Sequence, residues 1–112
     1  MSDARALSRE GFRHFAENRI DAAIDCYERA VEAEPGLALA WSGLSMTRKR
    51  KGDLDGAIAA GLRLVALEPD DPLAHTNLSI LYQAKGMIEQ AEDEKALALR
   101  LQLEREAGPN SG

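Results

Sequence analysis

Small and apolar positions return along this chain at a fixed interval of 34 residues. Ala23, Ala57 and Ala91 keep that spacing, as do Ile20, Leu54 and Ile88. Leu44 and Leu78, Ser45 and Ser79, Gly52 and Gly86, and Pro35 and Pro69 are pairs at the same interval. A period of 34 with helical patterning inside each unit predicts a solenoid of helical hairpins. The two prolines set the phase, giving repeats 4–37, 38–71 and 72–105. Each unit reads as a helix A, a short turn and a helix B. The predicted fold class is all-α, with six helices in three helix-turn-helix hairpins and the last helix extended.

Local chemistry marks the ends of those helices. Asp3 is a suitable cap for helix A1, which runs to about Glu17 and breaks at Asn18. Helix B1 runs from Ile20 or Asp21 to Ala33 or Glu34, and Pro35 cannot continue it. Helix A2 covers about 38–51 and closes at Gly52, which tolerates a left-handed backbone. Asp53 caps B2, about 54–67. Asp70 or Asp71 caps A3, with Pro72 in the first turn where proline is accepted. A3 ends at Gly86. B3 starts near Ile88 and, having Leu103 where the earlier repeats have proline, runs to about Ala107. The domain is therefore 1–107, and residues 108–112 (Gly-Pro-Asn-Ser-Gly) read as a flexible tail.

The packing follows from size. Gly11, Ser45 and Ser79 occupy position 8 of the repeats, and Ala23, Ala57 and Ala91 occupy position 20. Small residues facing each other let the two helices of a hairpin approach closely. Leu7, Trp41, Leu44, Leu78, Tyr27, Ala30, Leu64 and Ala98 are expected to fill the space between hairpins.

Composition narrows the class. The chain of 112 residues is one domain, with 45% hydrophobic and 29% charged residues, an ordinary soluble balance. Aromatics are only 4%, so alanine and leucine carry the packing, which suits helices better than a sheet. A net charge of −5 argues against a general nucleic-acid binder. The single cysteine, Cys26, rules out an intrachain disulfide and reads as a small buried residue of a reducing compartment. No apolar run reaches the ~20 residues that span a bilayer, and Met1-Ser2-Asp3-Ala4-Arg5 opens no signal sequence. The expectation is a cytoplasmic protein without membrane contact.

Trp41, Leu44, Gly11, Tyr82, the alanines at 23, 57 and 91, Tyr27, Ala30, Ala98, Pro35 and Pro69 stand where the tetratricopeptide repeat has its signature residues. The chain resembles that family over residues 4–105. The resemblance implies a right-handed superhelix whose A helices line a concave groove that binds peptides or partner helices. His14 and Arg48 replace one signature aromatic, and Gly61 and Lys95 another, so looser packing than in an ideal array is expected. The subgroup that clamps acidic C-termini of heat-shock chaperones would need lysine and asparagine at Ser8 and Phe12, asparagine at Gly43, and lysine and arginine at Leu73 and Asn77. None of the five matches in kind, so that activity is not expected.

The resemblance also implies which residues face the groove. They are Arg5, Ser8, Arg9, Phe12, Phe15 and Ala16 in the first repeat. The second gives Leu39, Ser42, Gly43, Met46, Lys49 and Arg50; the third gives Leu73, Thr76, Asn77, Ile80, Gln83 and Ala84. Every charged residue in this set is basic. Phe12, Met46 and Ile80 form an apolar row, joined by Leu39 and Leu73. Such a surface suits a protein segment with apolar anchors and some negative charge, since arginine can donate two hydrogen bonds to one carboxylate. The run Arg48-Lys49-Arg50-Lys51 also has a local explanation, because cations at a helix C-terminus are favoured by its dipole.

At the far end, B3 reads as its own polar cap through Glu92, Asp93, Glu94, Lys95 and Arg100. Leu97, Leu99, Leu101 and Leu103 cannot all face one side of a helix, because alternate residues turn by about 200°. The surplus leucines could pair with a second copy to give a homodimer. Catalytic chemistry is not legible. There is no phosphate-binding glycine loop, His14 and His75 fall at packing positions, and two histidines with one cysteine show no zinc spacing. Glu89, Glu92, Asp93 and Glu94 read as the acidic start of B3. The expected protein is a scaffold or adaptor and not an enzyme, with no cofactor and no metal. The alternatives are a self-associating structural module and a small chaperone for one client.

Overall fold

The structure, a computed structural model, describes residues 3–108. Of the expected tail, residues 109–112 lie outside the described residues, as do Met1 and Ser2. Six helices follow one another: α1 (Ala4–Ala16), α2 (Ile20–Ala33), α3 (Ala38–Lys51), α4 (Leu54–Leu67), α5 (Pro72–Lys85) and α6 (Ile88–Ala107). No strand occurs among the described residues. Consecutive helices pair as three hairpins, α1–α2, α3–α4 and α5–α6, and the next hairpin packs mainly on the second helix of the one before. The result is an all-α solenoid measuring 47 × 34 × 22 Å.

The helix ends obey the local chemistry. Asp3 accepts from the backbone N–H of Arg5, Asp53 from Gly56, and Asp71 from Leu73. Asp71, not Asp70, is thus the cap of α5. Gly52 and Gly86 close α3 and α5 with φ of 93° and 85°, a region that costs a side chain energy. Asn18 enters the same region at φ 61° in the turn after α1, without a glycine. Trp41 donates from Nε1 to the Pro35 carbonyl at 2.7 Å, and the Arg63 guanidinium stacks 5.1 Å over its ring.

Small residues do face each other inside hairpins two and three, and the contact is polar as well as close. The Ser45 hydroxyl donates to the Ala57 carbonyl at 3.0 Å, and the Ser79 hydroxyl donates to the Ala91 carbonyl at 2.8 Å. All four residues are buried. Between hairpins, Leu37 and Ala40 at the start of α3 pack on Ala4, Leu7 and Ala30. Tyr27, Leu44 and Ala60 carry the core onward, flanked by Ile24, Val31 and Trp41.

Position 24 explains itself only in three dimensions. The Tyr27 ring lies between Gly11 and Gly43, and a methyl group added to either glycine would run into it. In the next repeat the sizes are exchanged. Gly61 stands where Tyr27 stood, and Leu78 with Asn77 closes over it, so a methyl group at Gly61 would meet the Leu78 side chain at 3.0 Å. The loosening expected at Gly61 is therefore absent, because α5 supplies the missing volume. Lys95, the third residue of the series, is exposed at the open end.

Candidate functional site

Helices α1, α3 and α5 lie in a row, joined by direct contacts. The Arg50 guanidinium of α3 stacks 5.1 Å over the Phe15 ring of α1. The Asn77 amide of α5 donates to the Ser45 hydroxyl of α3 at 3.1 Å. The exposed side of this row carries most of the residues expected there. Phe12, Leu39, Leu73 and Ile80 are 58%, 54%, 73% and 46% exposed, unusual values for large apolar side chains gathered on three neighbouring helices. Met46 is half-buried between them. Arg5, Arg9, Lys49 and Arg50 are exposed as well, and among the described residues none of the four has an ion-pair partner.

Two clefts interrupt the row. One of about 300 Å³ is lined by Ser8, Arg9, Phe12, Tyr27 and Leu39. The other, of about 440 Å³, lies between α5 and α6 and is lined by Leu73, Thr76, Ile80, Gln83, Lys95 and Leu99 among others. Each combines an apolar wall with a cation at its rim, which suits anchoring side chains of an acidic segment.

Several expected surface residues belong to the packing instead. Asn77 is half-buried and spends its amide on Ser45. Ser8 is buried and donates to the Ala4 carbonyl at 2.8 Å. Gly43 is buried against Tyr27. Repeat position alone puts these three in the groove, and the close approach of the helices withdraws them.

The basic run at the end of α3 divides by helical direction. Arg48 turns outward to Glu28 at 3.3 Å and to the Gly56 carbonyl at 3.1 Å, and Lys51 pairs with Asp21. Arg50 turns instead onto the Phe15 ring, and Lys49 is exposed. On α6 the four leucines also divide. Leu97 and Leu101, one turn apart, are half-buried, whereas Leu99 and Leu103 are 60% and 57% exposed. Only the second pair is surplus.

Of the two histidines, His75 has the packing role its position implies. His75 is 3% exposed, with Nε2 2.7 Å from the Pro69 carbonyl and Nδ1 3.2 Å from the Glu94 carboxylate. Glu94 was expected in the solvated acidic start of α6, but it is half-buried against this ring. Cys26 is buried, and desolvation with the nearby Glu10 and Asp25 carboxylates pushes its thiol pKa up. Burial likewise pushes the Tyr27 phenol up.

Comparison with known proteins agrees with this fold. The tetratricopeptide repeat family model matches residues 4–37. No curated protein sequence matches the chain. Among solved structures, MamA superposes with a TM-score of 0.91 at 24% identity, over 95% of this chain and 62% of the MamA chain. The chain thus spans about three fifths of MamA. The first and second tetratricopeptide domains of Spaghetti (RPAP3), each bound to the HSP90 peptide SRMEEVD, superpose with TM-scores of 0.83 and 0.82 at 23% and 20% identity. Those matches cover 88% of this chain and 78% and 91% of theirs. No helix among the described residues is long and apolar enough to cross a membrane. The first hairpin matches the tetratricopeptide repeat model, and the chain as a whole has the fold of these tetratricopeptide-repeat structures.

Proposed function

We propose that this chain binds a segment of another protein along the exposed side of α1, α3 and α5. The carrying observation is the coincidence there of exposed Phe12, Leu39, Leu73 and Ile80 with Arg5, Arg9 and Lys49, cations with no carboxylate partner among the described residues. Apolar anchors supply most of the affinity in such a site, and the cations steer and orient an acidic ligand. The RPAP3 domains support the reading, since the same fold there holds a peptide. The ligand differs from that acidic chaperone terminus. Phe12 and Leu73 are apolar where the clamp needs charge or amide, and Ser8, Gly43 and Asn77 are committed to packing.

The test is capture of partners by the wild type beside a Phe12→Glu, Lys49→Glu variant. Both residues are exposed, so circular dichroism should show an unchanged fold. A partner kept only by the wild type supports the site. Equal capture by both removes it.

A second reading rests on the exposed pair Leu99 and Leu103, one turn apart on α6. They suit a helix–helix contact with a second copy. Mass that rises with concentration in the wild type, but not in Leu99→Glu, Leu103→Glu, would favour self-association.

A further inference from the structure

The first hairpin carries a second constellation, on the other side of α1. Glu10 and His14 are one turn apart and share a helix face, and Cys26 reaches them from α2. A carboxylate oxygen, an imidazole nitrogen and the sulfur all lie within 4.8 Å of one another. His14 Nε2 is 3.9 Å from Glu10 Oε1. Phe12, two residues from each, points about 200° away round the helix, so this cluster is separate from the proposed peptide surface.

Two features set it apart from an ordinary surface pairing. His14 Nδ1 is buried and has no hydrogen-bond partner, a costly state for a polar atom unless something else satisfies it. The cysteine is free and only 5% exposed, so its sulfur is shielded from competing solvent but open to its two neighbours.

We infer that Glu10, His14 and Cys26 form a site for a zinc-class divalent metal ion. One thiolate, one imidazole and one carboxylate suit a borderline cation, whereas calcium and magnesium prefer oxygen throughout. Zinc bonds of about 2.0–2.3 Å place tetrahedral ligands about 3.3–3.8 Å apart. The 3.9 Å between His14 and Glu10 must therefore close by about 0.5 Å. Glu10 can provide that movement, because its side chain is 48% exposed and its ion pair to Arg13 is long, at 3.7 Å. Charge balances as well. The metal dication meets one carboxylate and one thiolate, and the thiol proton leaves to solvent. Water completes the fourth position. Arg13 and Arg29 oppose the cation, and Asp25 offsets one of them. The ion would pin α1 to α2 at the first hairpin.

Cobalt(II) is the probe, titrated into the reduced full chain. The expected result is one equivalent bound, with a sulfur-to-cobalt charge-transfer band and the strong visible bands of tetrahedral cobalt. Added zinc should displace it, and zinc binding should release about one proton per ion at neutral pH. Cys26→Ser should abolish the charge-transfer band, and Glu10→Gln and His14→Ala should each weaken cobalt binding at least tenfold. Because Cys26 is buried, circular dichroism must accompany its variant. If that variant does not fold, the exposed Glu10→Gln decides. No charge-transfer band in the wild type, or unchanged affinity in both Glu10→Gln and His14→Ala, would overturn the site.

Discussion

Tyr27 depends on two absent side chains. Its ring fills the space that a Cβ at Gly43 would need, so Gly43→Ala sets two effects against each other. Alanine gains about 1 kcal/mol in helix propensity, while overpacking a tight core contact costs about 1–3 kcal/mol. The clash involves a ring wedged between two helices, so the loss should prevail and the urea midpoint should fall. A raised midpoint would show that the ring can move aside. Gly61→Ala meets the flexible end of Leu78 and should cost less. The same tyrosine and Cys26 give a pH dependence. Both are neutral when protonated, and folding raises both above their ordinary values of 10.0 and 9.0. Their contribution is complete below the ordinary thiol value and is lost as pH rises through the folded values. Melting temperature of the metal-free chain should therefore decline above pH ~9, and less steeply in a Cys26→Ala, Tyr27→Phe double variant. A flat profile in the wild type to pH ~11 would refute this.

At the scale of the helix, boundaries were the most legible feature. Asp3, Pro35, Gly52, Asp53, Pro72 and Gly86 act on their own backbone neighbours, so adjacent sequence contains the whole cause. Asp53→Ala should cost about 1 kcal/mol in a denaturation experiment, since it frees the Gly56 N–H. What the sequence could not reveal was which side chains the neighbouring helix removes from the surface. Asn77, Ser8 and Gly43 hold groove positions by count but are claimed across a helix contact, and Leu97 and Leu101 differ from Leu99 and Leu103 only by helical direction. The Glu10–His14–Cys26 cluster escaped for a related reason. Zinc spacing rules describe ligands close in sequence, and here one ligand arrives from a second helix. Helix α6 has 20 residues against 14 in its partner α5, so its last ~9 Å project past the hairpin. Amides in 104–107 should exchange with solvent far faster than those of α4. Slow exchange there at low protein concentration would mean that the end is covered.

For the whole molecule, stability should follow nearest neighbours. The packing of α4 on α5 is less extensive than that of α2 on α3, and among the described residues the third hairpin packs on one neighbouring hairpin only. Native-state exchange should find α5–α6 opening at lower free energy than α1–α4. Asn77→Ala, which removes the bond to Ser45, should lower that opening energy by about 1 kcal/mol and leave α1–α2 unchanged. Equal effects on all three hairpins would show that the array unfolds as one block. The size exchange at position 24 has a last consequence. The first junction seats a ring on a bare backbone, Tyr27 on Gly43; the second seats a side chain on a bare backbone in the opposite sense, Asn77 and Leu78 on Gly61. Splice the third hairpin directly onto the first and Asn77 collides with Tyr27 while finding no hydroxyl at Gly11. These three units share one repeat pattern, yet they are not interchangeable parts: their order along the chain is encoded at the joints.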